Sequence, residues 1–271
     1  MFDIYVISLP GSPRRALIEQ ALMNRGIEYR FHEAFDARSL DADKCAKLTD
    51  PVEATVRYGR PLSRGEIGCF YSHRSLWPNI VRSGRAAVVL EDDAMLDDAF
   101  FESVLHTSES ALSARADLVL LGRSKLARRN AKRTYVYEPL KRADRVGRLL
   151  IGVPFKQWTS GSVGYWISAD GARKALDHTG GAIARLLDDW PWHRDHGHLR
   201  IAELRPYVVW EAFETMPSSI ASSRAALTMR RSVAYEIALK PLRIIRTAIR
   251  WFSVVLLIAT SSREKLYPHH E

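Results

Sequence analysis

The chain has 271 residues, 46% of them apolar and 26% charged, with a formal charge of +9. That suits one large α/β domain, or one domain with an appendage, in an ordinary soluble globular protein, and the excess of base implies an acidic partner: nucleic acid, an anionic membrane or phosphorylated substrates. Two cysteines, Cys45 and Cys69, give no disulfide framework and no zinc spacing of their own, and the amino terminus lacks the basic and apolar regions of a signal peptide, so the expected location is the cytoplasm.

Ile4 to Leu9 reads as a strand and Pro10-Gly11-Ser12-Pro13 as a tight turn, with Ser12 expected to N-cap a helix that runs to about Asn24. Leu17, Ile18, Ala21 and Leu22 form its inner face, Gly26 stops it, and Tyr29 to Phe35 makes the next strand. Strand, turn, basic helix start and strand together open a nucleotide-binding half-domain. Arg14 and Arg15 either neutralise a diphosphate there or lie on a solvated helix face, since the chain contains neither a Gly-x-Gly-x-x-Gly nor a Walker pattern. Residues 38–62 read as polar and irregular. Ser63 and Glu66 then form a capping box that starts a helix at residue 64. Gly65 and Gly68 in its first turns each cost about 1 kcal/mol relative to alanine, which a helix accepts where something approaches its backbone closely. Cys69 reads as a small packed residue; His73, on the same side, is either a core histidine or part of a site.

Ala86 to Leu90 is a continuous apolar run and reads as a buried central strand. It ends in Glu91, Asp92 and Asp93. Three adjacent carboxylates repel one another and cannot be buried without a countercharge, and the carboxyl end of a strand is where open α/β sheets bind ligands. Hard oxygen ligands in that place suit Mg²⁺ or Mn²⁺ carrying a substrate diphosphate. Asp97 and Asp98 read as caps of the following helix.

Asp117 to Gly122 is a further buried strand. Residues 123–148 hold ten Lys or Arg against Glu138 and Asp144, the composition of a loop or hairpin that meets anionic lipid or a phosphorylated acceptor. Nucleic acid is set aside because only Tyr135 and Tyr137 interleave and no binding motif accompanies them. Val163 to Ser168 reads as a strand and 170–179 as a helix capped by Asp170. Residues 186–198 (Leu-Leu-Asp-Asp-Trp-Pro-Trp-His-Arg-Asp-His-Gly-His) form either a sugar platform with carboxylates for hydroxyls or a hydrophobic plug with solvated histidines. Val208 to Trp210 is a last strand. Beyond Arg224, Arg243, Arg246 and Arg250 share one helical face and Leu242, Ile245, Ile249 and Phe252 another. The apolar run that follows is too short to span a bilayer, so the segment reads as interfacial.

Residues 6–15, 34–37, 62–73, 89–94 and 164–172 together resemble glycosyltransferase family 25, the bacterial lipooligosaccharide galactosyltransferases and their relatives. Leu-Ser-Arg-Gly-Glu-Ile-Gly-Cys-Phe-Tyr-Ser-His and Val-Leu-Glu-Asp-Asp-Ala are the specific blocks. The stretches follow the family's order through most of residues 4–220, with Ser8 where the family has Asn and Ala37 where it has Gly. The resemblance implies an α/β fold of GT-A type, a mixed sheet with a Rossmann-like nucleotide-binding half over residues 1–222; the charge and apolar pattern beyond it reads as a basic amphipathic helical tail over 223–271. It implies a UDP-sugar donor, a lipid-linked saccharide acceptor and a divalent cation, Mn²⁺ or Mg²⁺. Asp93 and Asp92 would hold the metal. Ser12, Arg15, Asp36, Glu66, Ser72, His73, Glu91 and Asp92 would contact the donor, and Asp188 or Asp189 would act as base. The expected activity is inverting, metal-dependent transfer of a hexose, galactose, to a lipopolysaccharide core, by a protein peripheral on the inner face of the cytoplasmic membrane. The rival expectation is a non-catalytic, membrane-associated carbohydrate- or lipid-binding protein on a degenerate transferase fold.

Overall fold

The computed structural model describes residues 2–155, 161–214 and 240–260. Its centre is an eight-stranded mixed sheet in the order β2-β1-β3-β9-β5-β10-β8-β7. The strands are β1 (Asp3–Ser8), β2 (Arg30–Glu33), β3 (Ala87–Glu91), β5 (Leu118–Leu120), β7 (Leu140–Val146), β8 (Leu149–Pro154), β9 (Gly164–Ile167) and β10 (Ile201–Arg205). β2, β1 and β3 are parallel, the Rossmann-like half; β9 then runs antiparallel to both β3 and β5. A three-stranded sheet, β4 (Ala94–Leu96), β11 (Val209–Glu211) and β6 (Gly122–Arg123), lies at the same end.

Period-two alternation divides the core. Ile4, Val6, Val88 and Leu90 face one layer with Ile18 and Leu22 of α1 (Arg15–Met23), whereas Tyr5, Ile7, Ala87 and Val89 face the other. That second layer holds α4 (Arg64–Ser83), α7 (Ala169–His178) and α8 (Trp190–Gly197). The central strand and the α/β class are as expected. So is the capping box of α4: Ser63 Oγ accepts from Glu66 N–H at 3.3 Å and Glu66 Oε2 from Ser63 N–H at 2.8 Å. Gly68 answers its predicted purpose, because a Cβ there would stand 2.8 Å from the carbonyl oxygen of Phe35.

Several expectations are corrected. Ser12 does not cap α1. Its hydroxyl donates to Asp92 Oδ2 at 2.8 Å, and the helix begins at Arg15 behind Arg14. Leu17 is 55% exposed and leaves the inner face to Ile18 and Leu22. Residues 38–62 contain α2 (Ala42–Leu48) and α3 (Pro51–Tyr58), capped by Asp41 and Asp50, with Gly59 in the left-handed conformation ending the second. The caps were legible there, but two polar helices bury too little to show a periodic stripe. Asp97 and Asp98 cap nothing: Asp97 accepts Trp210 Nε1–H at 2.7 Å and pairs with Arg128, and Asp98 pairs with Arg25. Ser168, not Asp170, caps α7.

The basic stretch 123–148 folds as α5's successor α6 (Ala131–Tyr137) and the β7–β8 hairpin, α5 being Glu109–Ser113. Part of its charge is neutralised within the fold, Arg123 by Glu138 at 2.6 Å and Arg129 by Glu214 at 2.7 Å, while Arg142, Arg145 and Arg148 are exposed. Of the expected tail over 223–271, the described residues form one helix, α9 (Lys240–Thr260), and the remainder lies outside the described residues. It touches α6 through Arg250, which donates to Glu138 Oε1 at 2.9 Å, and through Trp251 on Tyr137, ring centroids 4.4 Å apart. Ile245, Ile249 and Phe252 are exposed. Among the described residues no helix is long and apolar enough to cross a membrane. Arg224, Arg230 and Arg231 lie outside the described residues.

Candidate active site

Parallel pairing sets Ile7 of β1 opposite Glu91 of β3, so both strands end at one place, and the chain there turns away from the sheet. A cleft of about 1110 Å³ opens above them. It is lined by residues 7–14, 34–38, 61–65, the inner face of α4 at Gly68, Cys69, Ser72 and His73, and Glu91, Asp92 and Asp93.

The acidic turn is held from several sides. Asp92 Oδ2 accepts from Ser8 Oγ at 2.7 Å as well as from Ser12. Arg14 donates to Asp93 Oδ2 at 2.9 Å and stands 3.9 Å from Asp92. Ser162 Oγ donates to Glu91 Oε1, and the preceding residue, Gly161, donates its N–H to Asp188 Oδ2 at 2.9 Å. Two successive residues thus bring Asp188 beside Glu91, close enough for each charge to act on the other. Burial, and then the neighbouring charges of Asp92 and Asp188, push the Glu91 carboxyl well above the ordinary range. Asp93 is raised too, first by burial and then by Glu91 and Glu211, and its Oδ1 is buried without a hydrogen-bond partner among the described residues. Carboxylates that crowd one another in a half-dry place, one with an orphaned oxygen aimed inward, form a donor set fitted to a hard divalent cation.

The other expected site residues divide. Asp36 lines the cleft, and its carboxylate is engaged by Arg38, whose guanidinium holds it below the usual range. Ser72 is buried beneath the cleft floor, donating to Gly68 O at 2.6 Å and accepting from Phe35 N–H at 2.8 Å. His73 is fully buried, and desolvation lowers it to about 3, so its imidazole is neutral. Two residues fall outside the cleft lining. Glu66 is tied to Arg60 by two bonds of 2.7 and 2.8 Å and to the helix cap, a structural post. Arg15 donates to Ser8 Oγ and O and lies over the Phe31 ring, 4.4 Å from its centroid, leaving the cleft to Arg14.

Asp188 and Asp189 separate completely. Asp189 is 0% exposed, accepts from Tyr58 OH at 3.0 Å and lies 3.4 Å from Arg57. Asp188 is half-buried beside Glu91, and neither member of the pair is part of the cleft lining. Trp190 of the Trp-Pro-Trp segment is core, buried against Tyr165 and His193 with its Nε1–H donating to Gly161 O at 3.1 Å, whereas Pro191 and Trp192 are half-buried. Of its histidines, His193 is buried and His196 and His198 are exposed.

Sequence reasoning missed Ser162 and Glu211. Glu211 is 8% exposed, accepts from Lys125 N–H at 2.7 Å, and is raised mainly by burial. One signal was available, since Val208-Val209-Trp210-Glu211 repeats the pattern of Val88-Val89-Leu90-Glu91, an apolar run that stops at an acid.

Fold and site together define an α/β protein with an acidic cleft at the carboxyl ends of parallel strands. The chain belongs to glycosyltransferase family 25, described as an LPS biosynthesis protein family, whose model matches residues 1–188. Procollagen galactosyltransferase 2 of Homo sapiens is 32% identical over 183 residues, 64% of this chain and 27% of that protein. The probable inactive glycosyltransferase 25 family member 3 of Rattus norvegicus is 33% identical over 186 residues, 64% of this chain and 29% of that protein. The chain therefore spans less than a third of the length of these relatives. Among solved structures, galactosyltransferase LgtC in complex with donor and acceptor sugar analogs overlaps with a TM-score of 0.37 at 12% identity, over 85% of this chain and 98% of that one.

Proposed function

We propose that the chain is an inverting, metal-dependent hexosyltransferase that moves galactose from UDP-galactose to a lipooligosaccharide or lipopolysaccharide core saccharide. The observation that carries this reading is the pair of bonds from Gly161 and Ser162, which bring Asp188 next to the Glu91–Asp93 turn in a family of transferases. The cleft, about 1110 Å³, is large enough for a whole nucleotide sugar, just above the roughly 300–1,000 Å³ usual for ligand pockets. Asp93 and Asp92, with Glu91 beside them, would hold Mn²⁺ or Mg²⁺. Such an ion, when bound, supplies positive charge opposite the diphosphate.

Asp188 takes the proton of the acceptor hydroxyl as that oxygen bonds to the anomeric carbon. The bond from that carbon to the diphosphate breaks, and UDP leaves with the electron pair. Arg14, on the same rim, offers the leaving phosphates a fixed cation. The proton on Asp188 then passes to solvent. The relatives include a probable inactive protein at comparable identity, so binding without turnover is the competing reading. What favours turnover is the acidic turn itself, three adjacent acids faced by the single cation Arg14, which a degenerate site has no reason to keep. The test is release of UDP from a panel of UDP-hexoses with Mn²⁺, with and without a core saccharide. Turnover with UDP-galactose supports the reading; tight UDP-sugar binding with no release in any mixture leaves a binding module.

The proposed location is cytoplasmic, peripheral on the inner face of the cytoplasmic membrane, with residues 223–271 as the lipid-seeking segment. Exposed Ile245, Ile249 and Phe252 on α9, close to exposed Arg246, support it. Each basic residue near an anionic leaflet adds about 1 kcal/mol of attraction. The double substitution Ile249→Asp with Phe252→Asp should abolish flotation with anionic vesicles, and undiminished flotation would place the contact elsewhere.

A further inference from the structure

We infer that Cys69, His73 and Glu91 form a second cation site, for Zn²⁺, adjoining the all-carboxylate one. Cys69 and His73 are four residues apart on α4, hence one above the other on the same helix face, and that face meets the end of β3 where Glu91 lies. One ligand atom from each, a sulfur, an imidazole nitrogen and a carboxylate oxygen, lies within 4.8 Å of the other two. Tetrahedral zinc with bonds of about 2.0–2.3 Å sets its ligand atoms roughly 3.3–3.8 Å apart, so the group needs a contraction of about 1 Å.

A second observation is independent of that spacing. His73 is 0% exposed, and its Nε2 has no hydrogen-bond partner among the described residues and stands 3.7 Å from Glu91 Oε1. A buried ring nitrogen without a partner is costly unless something else meets it. Its other nitrogen, Nδ1, is 2.9 Å from Tyr165 OH, which also receives Trp77 Nε1–H at 3.1 Å. Metal-ligating histidines are oriented through the far nitrogen in this way. Cys69, His73 and Glu91 all border the cleft, which leaves a fourth position open to water or substrate.

The ligand chemistry separates this site from its neighbour. Thiolate and imidazole select zinc, whereas Asp92 and Asp93 offer only the hard oxygens that suit Mg²⁺ or Mn²⁺. The cysteine thiol gives up its proton to solvent on binding. Zinc held there would occupy Glu91 and close the floor of the cleft. The site stands on its own geometry and does not rest on the transferase reading.

The test uses the purified full-length protein stripped with a chelator. Co²⁺, the spectroscopic stand-in for zinc, should give a thiolate-to-cobalt charge-transfer band at one equivalent, and Zn²⁺ should abolish it. Zn²⁺ affinity, measured against a chromophoric chelator, should fall in Cys69→Ser by more than the roughly 10–100-fold that loss of an outer-shell partner costs, and the band should vanish. Cys69→Ala serves in its place if the serine variant fails to fold. Asp93→Asn should leave both the band and the zinc affinity unchanged. Absence of the band in the parent protein, or its survival in the Cys69 variant, overturns the site; so does zinc affinity that follows Asp93 and ignores Cys69.

Discussion

Glu91, Asp92 and Asp93 sit at the open end of β3, whereas Asp189, Trp190 and His193 are sealed at the start of α8 between α4 and α7. Both stretches crowd acids beside apolar residues, and they meet opposite surroundings. A strand that ends where its parallel neighbour ends must hand its last side chains to loops, so its carboxylates face a cleft. A helix that begins between two packed helices turns its first residues inward, so Asp189 is buried and answered by Tyr58 and Arg57. Asp188, one residue earlier, escapes that burial and joins the other group through Gly161. The difference teaches that acid-rich composition marks a possible site, while the element that carries each acid decides whether a substrate can reach it.

That contrast can be broken at four points. The largest effect is expected at Asp93: on the proposed mechanism Asp93→Asn abolishes transfer with the fold intact, read as lost UDP release with an unchanged circular dichroism spectrum. A near-parental rate at saturating Mn²⁺ would remove Asp93 from the site. Next, Asp188→Asn should lower kcat by roughly 10²–10⁴-fold with little change in donor KM, the usual share of general-base catalysis. Its neighbour should behave differently. Asp189→Ala removes the acceptor of Tyr58 OH and should cost about 1–3 kcal/mol of stability while the folded fraction keeps its kcat. Equal kinetic losses at 188 and 189 would dissolve the distinction.

Trp190→Ala tests the buried side of the comparison. As a fully buried core residue it should cost about 3–5 kcal/mol in denaturant titration, and loss of sugar affinity without loss of stability would restore the sugar-platform reading.

The smallest effect expected is in pH dependence. Glu91 and Asp93 are both raised in the folded protein above the ordinary carboxylate value near 4. Above that value the folded chain keeps protons that the unfolded chain has released, so without metal its stability falls as pH rises from about 4 through neutrality. Mn²⁺ should reverse the fall, and Asp93→Asn should flatten it, both followed as Tm against pH in chelator. A metal-free Tm that climbs over that range would show the turn already neutralised from within.

Much of this was legible in the chain. The β3 run and its acidic stop, the Ser63–Glu66 capping box and the close approach at Gly68 follow from local rules, because a cap, a turn or an apolar run is stabilised by residues near it in sequence. Helices α2 and α3 were hidden for a related reason. Their caps were present, but Ala54 of α3 is the only fully buried residue in the two, and hydrophobic periodicity reports burial. Strand β10 was not foreseen at all. Its Glu203 and Arg205 pair with each other and with neighbours inside the fold, so a buried strand carries charges that sequence reading assigns to the surface.

By itself the sequence determined the α/β class, the central strand and the chemistry gathered at residues 91–93, since these depend on short-range pattern and on the repulsion of adjacent like charges. The tertiary structure alone decided which of two adjacent arginines, Arg14 or Arg15, meets the acidic turn, and which of Asp188 and Asp189 stands beside Glu91. Each choice turns on where a helix starts to within a residue or two, and on what packs against that start. Contacts made across more than seventy residues of chain, such as Ser8 with Asp92 and Ser162 with Glu91, set both, and no local pattern encodes them.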